Sequence, residues 1–162
     1  MRRVLAILPL FVLIFALQIV GQTPDESTDK SKQSRFDPEL AKKVGADDYG
    51  MRSYFFVLLK TGKTQIEDEK ERSKVFAGHF ANMKRLAGEG KLVLAGPYSD
   101  PKGIWRGMFV FSVANLEEAT KLAESDPAVA AGVFDFEIVP FYASAGLMLV
   151  NEIHPTVQKK QF

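Results

Sequence analysis

The 162-residue chain has no cysteine. That excludes disulfides, thiolate metal sites, cysteine nucleophiles and a lipid-modified N-terminal cysteine. It also suits an oxidising compartment. Histidine is nearly absent, with only His79 and His154, too few for a histidine-rich metal centre. Charge of one sign is lacking too. Twenty-one Lys and Arg against twenty Asp and Glu leave a net +1, which argues against a polyanionic partner held by bulk electrostatics. Apolar residues are plentiful instead, at 46% with 13 Phe, enough for one well-filled domain.

The apolar content is unevenly spread. Arg2 and Arg3 precede an apolar run from Val4 to Val20, followed by Gly21-Gln22 and a polar stretch. A basic n-region with an apolar h-region reads as a secretory signal peptide over residues 1–21, or as an uncleaved anchor. With Arg2 and Arg3 inside, the rest of the chain is expected to be periplasmic or secreted, and to meet a membrane only if the segment is uncleaved. Residues 22–49 are rich in Asp, Glu, Ser, Thr, Lys and Gln and read as a polar linker. Within them, Asp37-Pro38 can start a short helix through Val44.

The folded domain is expected over residues 50–143. Tyr54-Phe-Phe-Val-Leu-Leu59 reads as a buried strand with Phe55, Val57 and Leu59 on one face and Tyr54, Phe56 and Leu58 on the other. After a Thr61-Gly62-Lys63 turn, Thr64 and Glu67 have capping-box spacing for a helix. That helix carries Phe76, His79, Phe80 and Met83 along one stripe and ends at Gly88 or Gly90. Lys91 to Ala95 is a second strand. Gly96 to Gly103 forms a loop, and Ile104 to Val113 a third strand with Trp105, Phe109 and Phe111 on one face and Met108 and Val110 on the other. Asn115 and Glu118 cap a second helix, which Asp126-Pro127 breaks. Val133 to Phe141 is a fourth strand. Residues 144–162 form a C-terminal arm or tail, with Gly146 to Ile153 apolar enough for a further strand or an arm.

The order β-α-β-β-α-β is the ferredoxin-like arrangement, α+β, with a four-stranded antiparallel sheet and two helices on one face. Two helices cover only one face, while the first and third strands are apolar on both. A homodimer through the open sheet face, or a folded-back tail, would cover the second.

One constellation carries possible chemistry. His79 suits proton transfer near neutral pH, and Asp100 in the loop after Pro97 can orient its imidazole. Phe76, Phe80, Trp105 and Met108 are expected to line an apolar pocket. Gly96 and Pro97 can place backbone amides near an anion, and Arg106 or Lys102 can hold a carboxylate. A plainer account fits the same residues. His79 is then a helix-edge histidine bonded to backbone, Asp100 a turn former beside Pro101, Trp105 a packing residue and the basic side chains solvated. Small-molecule acid/base catalysis and non-catalytic ligand binding or dimerisation therefore both stand at this level.

From Met51 to Tyr142 the chain also resembles the YCII-related family, small proteins of the dimeric α/β-barrel group. The resemblance rests on His79, Ala95-Gly96-Pro97, Asp100, Gly107, Glu117-Glu118-Ala119, Asp126-Pro127, Ala131-Gly132 and Ile138-Val139-Pro140-Phe141, in order and with compatible gaps. It implies an enzyme with a His-Asp pair, carried here onto His79 and Asp100; the enzyme reading of these residues expects no metal and no organic cofactor.

Overall fold

The computed structural model describes residues 36–160. The expected signal segment and the first part of the expected linker lie outside them. Four strands form one antiparallel sheet: β1 (Met51–Thr61), β2 (Leu92–Pro97), β3 (Trp105–Phe111) and β4 (Phe134–Ser144). Their spatial order, β2-β3-β1-β4, is the ferredoxin-like one. β1 lies between β3 and β4, and β2 pairs only with β3. The helices are α1 (Pro38–Val44), α2 (Glu69–Gly88), α3 (Leu116–Glu124), α4 (Pro127–Ala130) and α5 (Val150–Val157).

Period-two alternation sorts the core as expected. Val57, Leu59, Phe109, Phe111 and Phe134 pack beneath the helices against Leu86 of α2 and Ala119 and Ala123 of α3. The alanines admit α3 to close approach. Asn115 caps α3 by accepting from Glu118 N at 2.9 Å, and Asp126 caps α4 by accepting from Ala128 N at 3.0 Å.

The second sheet face holds Tyr54, Val93 and Val110, with Phe56, Leu94 and Met108 around them. Leu147 and Met148 fold back over this cluster. The tail is not the expected strand. Residues Ala145–Leu149 form a 3-10 turn leading into α5, and Asn151 Nδ2 donates to Leu92 O at 2.8 Å. Apolar content without period-two alternation does not specify a strand. The fold also starts before the expected boundary. Asp37 caps α1, Val44 is buried, and the Arg52 guanidinium donates to Val44 O at 2.7 Å and Ser112 Oγ at 2.9 Å. Residues 36–49 are thus part of the domain rather than linker.

Two local departures shape the site. α2 starts at Asp68, which accepts from Glu71 N at 2.8 Å, not at Thr64. The acid-rich stretch offers the same capping spacing twice, and tertiary contact selects the later one. Thr64 N is already bonded to Gly132 O at 3.0 Å. A Cβ on Gly62 would lie 2.1 Å from Gly132 O, so the loop after β1 and the turn before β4 meet backbone to backbone. The second departure is a bulge. Leu59 pairs with Gly107 but Lys60 with Trp105, leaving Arg106 as the extra residue. Trp105 therefore joins Leu58 on the second face rather than Phe109 and Phe111, and Arg106 reaches Phe134 on the helix face.

Candidate active site

α2 presents His79 inward, 7% exposed, among aromatic rings. The Phe80, Phe134, Phe109 and Phe76 ring centroids lie 5.4, 5.5, 5.9 and 6.2 Å from that of the imidazole. The carboxylate that meets it is Asp126, fully buried. Nδ1 stands 2.8 Å from Oδ1 and 2.9 Å from Oδ2. Asn82, one turn along α2, donates Nδ2 to Asp126 Oδ2 at 3.2 Å. Arg85 donates to Asn82 Oδ1 at 2.8 Å, which fixes which end of that amide faces the carboxylate.

Burial alone would push the Asp126 carboxyl up. The bond from His79, the charge of His79 and the bonds from Asn82 and Ala128 N outweigh it and hold the group below the usual carboxylate range. Asp126 is then ionised at neutral pH and can only accept, so Nδ1 of His79 carries a proton whichever state the ring is in, and the neutral imidazole is the Nδ1–H tautomer. That leaves the lone pair on Nε2. No buried side-chain N or O among the described residues lacks a partner, and Nε2 has no protein partner, so Nε2 reaches solvent. An oriented, solvent-touched imidazole with its tautomer fixed from behind is suited to taking and returning one proton.

Asp100 does not make the expected bond to His79. Its carboxylate accepts from Lys102 N, Ile104 N and Trp105 N at 3.0, 2.8 and 2.9 Å, organising its own exposed loop. Those three bonds, that from Trp105 first, draw its pKa down. The expected pocket is also divided by the sheet. Phe76, Phe80 and Arg106 lie on the helix face with His79. Met108 packs with Tyr54 and Val110 on the other face, where Trp105 lines a shallow hollow of about 400 Å³ with Leu58, Tyr98 and Asp100. Gly96 and Pro97 end β2 opposite Met108 and Gly107. There the Gly96 carbonyl would lie 2.8 Å from a Cβ on Gly107. Lys102 is exposed, Tyr54 donates to Ser144 O at 3.0 Å, and His154 lies on exposed α5. No group of three or more His, Cys, Asp or Glu among the described residues could hold a metal ion.

Asp126 and Asn82 are the residues that sequence reasoning missed as site members. The available signal was Asp126-Pro127, a helix N-terminus signature that the sequence reading takes as a helix breaker and as part of the family resemblance, without a site role.

"Uncharacterized protein YjpA" of Bacillus subtilis (strain 168) is 33% identical over 88 residues, covering 54% of this chain and 92% of YjpA. Among solved structures, 5-chloro-2-hydroxyhydroquinone dehydrochlorinase (TftG) from Burkholderia phenoliruptrix AC1100, in complex with 2,5-dihydroxybenzoquinone, is similar at 20% identity and a TM-score of 0.42. The match covers 54% of this chain and 92% of that one. Residues 54–142, more than half of the chain and running from within β1 to within β4, match the YCII-related domain, and the chain belongs to that family.

Proposed function

We propose that this YCII-related protein is a small-molecule enzyme in which His79 Nε2 acts as general base and then acid. The observation that carries the reading is the buried carboxylate on Nδ1, which makes Nε2, the ring nitrogen without a protein partner, the one that can exchange a proton with a ligand. In the reaction Nε2 takes a proton from a carbon acid or from water. It returns that proton to another carbon or to a leaving group, as isomerisation, elimination or hydrolysis requires. Asp126 is a positioning residue acting through the imidazole, and Asn82 holds Asp126.

The test is turnover of a panel of small lactones, esters and enolisable ketones by wild type, His79→Asn and Asp126→Asn. General acid/base catalysis contributes about 10²–10⁴-fold, so His79→Asn should lose at least ~100-fold in kcat. Equal turnover by wild type and His79→Asn would overturn the reading. Binding of a panel member without any turnover would favour a ligand-binding module instead.

We also infer that the domain works outside the cytoplasm and as a homodimer. The first inference is supported by Arg2, Arg3 and the apolar run from Val4 to Val20. Support for the second comes from Trp105, Val139 and Phe141, 40%, 49% and 38% exposed on the sheet face that the tail leaves partly open. Among the described residues no helix is long and apolar enough to cross a membrane.

A further inference from the structure

Beside His79 on the helix face lies a groove of about 440 Å³. Its walls are the loop Thr61 to Ile66, Arg72 and Phe76 of α2, Arg106 of the β3 bulge, and Val133 and Phe134. Phe76 and Phe134 also pack on His79, their ring centroids 6.2 and 5.5 Å from that of the imidazole, so the groove borders the histidine's aromatic surround without being lined by His79 itself. Three cations, Lys63, Arg72 and Arg106, line the groove, and no acidic residue does. None of the three takes part in any of the salt bridges among the described residues. The acids of the neighbouring stretch, Glu67, Asp68 and Glu69, do not line it. Arg72 gives one long bond, 3.3 Å, to Ile66 O, and the Arg106 guanidinium sits 5.9 Å from the Phe134 ring centroid.

Like charges gathered in one concavity repel one another, and an anion entering it relieves that repulsion. Two guanidinium forks supply donors matched to a planar carboxylate. The two phenylalanine rings offer an apolar wall beside them, and the volume is that of a small-ligand pocket. The walls are fixed, because the Gly62 to Gly132 backbone contact and the Thr64 to Gly132 bond join the two loops that frame the groove. A sheet without the bulge would have sent Arg106 to the other face.

We propose that this groove binds a small organic carboxylate with an apolar body, Arg106 and Arg72 holding the carboxylate and Phe76 and Phe134 the body. That this anion is the substrate rests on the reading of His79 as the reactive group; that it binds does not.

The experiment is an NMR titration of the full chain with benzoate, with benzyl alcohol as the neutral counterpart and inorganic phosphate as the anion without a body. Benzoate should saturate, shifting the amides of Phe76, Val133 and Phe134. Benzyl alcohol and phosphate should each bind at least tenfold more weakly. Arg106→Gln and Arg72→Gln should each weaken benzoate about tenfold, the scale of a lost charge-assisted pair, and Arg106→Lys should recover part of the loss. Raising the salt from 50 to 500 mM should weaken it further. Both arginines are exposed, and a melting curve for each variant establishes that it is folded. Benzoate binding no tighter than benzyl alcohol, or unchanged in both Gln variants, would overturn the proposal. If benzoate binds as described while His79→Asn leaves turnover intact, the groove proposal stands and the His79 reading falls. If benzoate fails to bind while a neutral substrate is turned over only with His79 present, the groove proposal falls alone.

Discussion

Asp126 performs two tasks with one carboxylate: it caps α4 through Ala128 N and it holds the His79 proton on Nδ1. Replacing it by Asn lets either amide end face the imidazole. Nitrogen-15 NMR of His79 should then show a mixture of tautomers where wild type shows the Nδ1–H form alone. Removing the charged acceptor should also cost roughly 2–3 kcal/mol at neutral pH. The acid dependence has a definite sign. The folded-state pKa of Asp126 lies below its ordinary 3.8, so its contribution is fully present above that value. It is lost as pH falls below about 4 and through the folded value. Thermal melts from pH 6 to pH 2 should show the gap between wild type and Asp126→Asn narrowing only in that window. At this scale the histidine was legible in the sequence and its partner was not. Asp100 and Asp126 both precede a proline, and nothing local separates a turn-forming aspartate from a buried one.

At the level of elements, the strands follow directly from their side chains. β1 alternates two apolar sets, and the structure buries one under the helices and the other partly under the tail. The tail's role is testable. Leu147→Ala with Met148→Ala should destabilise the protein by about 2–4 kcal/mol in denaturant melts, since both side chains cover Tyr54, Val93 and Val110. An unchanged midpoint would mean that the tail does not cover that face in solution. The loop seam is more brittle. Gly62→Ala puts a methyl 2.1 Å from a backbone carbonyl that cannot step aside, so the expected result is a fall in melting temperature and loss of benzoate binding together. The start of α2 was misplaced because Thr64-x-x-Glu67 and Asp68-x-x-Glu71 are locally equivalent. Only the contact of Thr64 with Gly132, 68 residues away, decides between them.

On the scale of the whole molecule, the uncovered part of the sheet face is the feature on which the proposed homodimer rests. Phe141 packs on Phe56 at 5.8 Å between centroids and on Tyr54 at 6.4 Å, yet keeps 38% of its surface exposed beside Val139. If the proposed dimer forms, wild type should sediment as a dimer at high micromolar concentration and Trp105→Glu with Phe141→Glu as a monomer, with His79 still bonded to Asp126 through Nδ1. A wild type that stays monomeric at high micromolar concentration would remove the dimer from the proposed function.

Hydrophobic periodicity, helix caps and breakers are local signals, and they determined the βαββαβ order, the faces of the strand residues up to the β3 bulge and the place of one histidine along the apolar stripe of α2. The choice of carboxylate on that histidine, the helical return of the tail and the bulge that turns Arg106 toward Phe134 are set by contacts between segments tens of residues apart. Sequence spacing does not encode those distances. A one-residue bulge inverts a face, and a buried partner is defined by what surrounds it, so the site took shape only when β1, α2, the β3 bulge and the Asp126 turn were brought together.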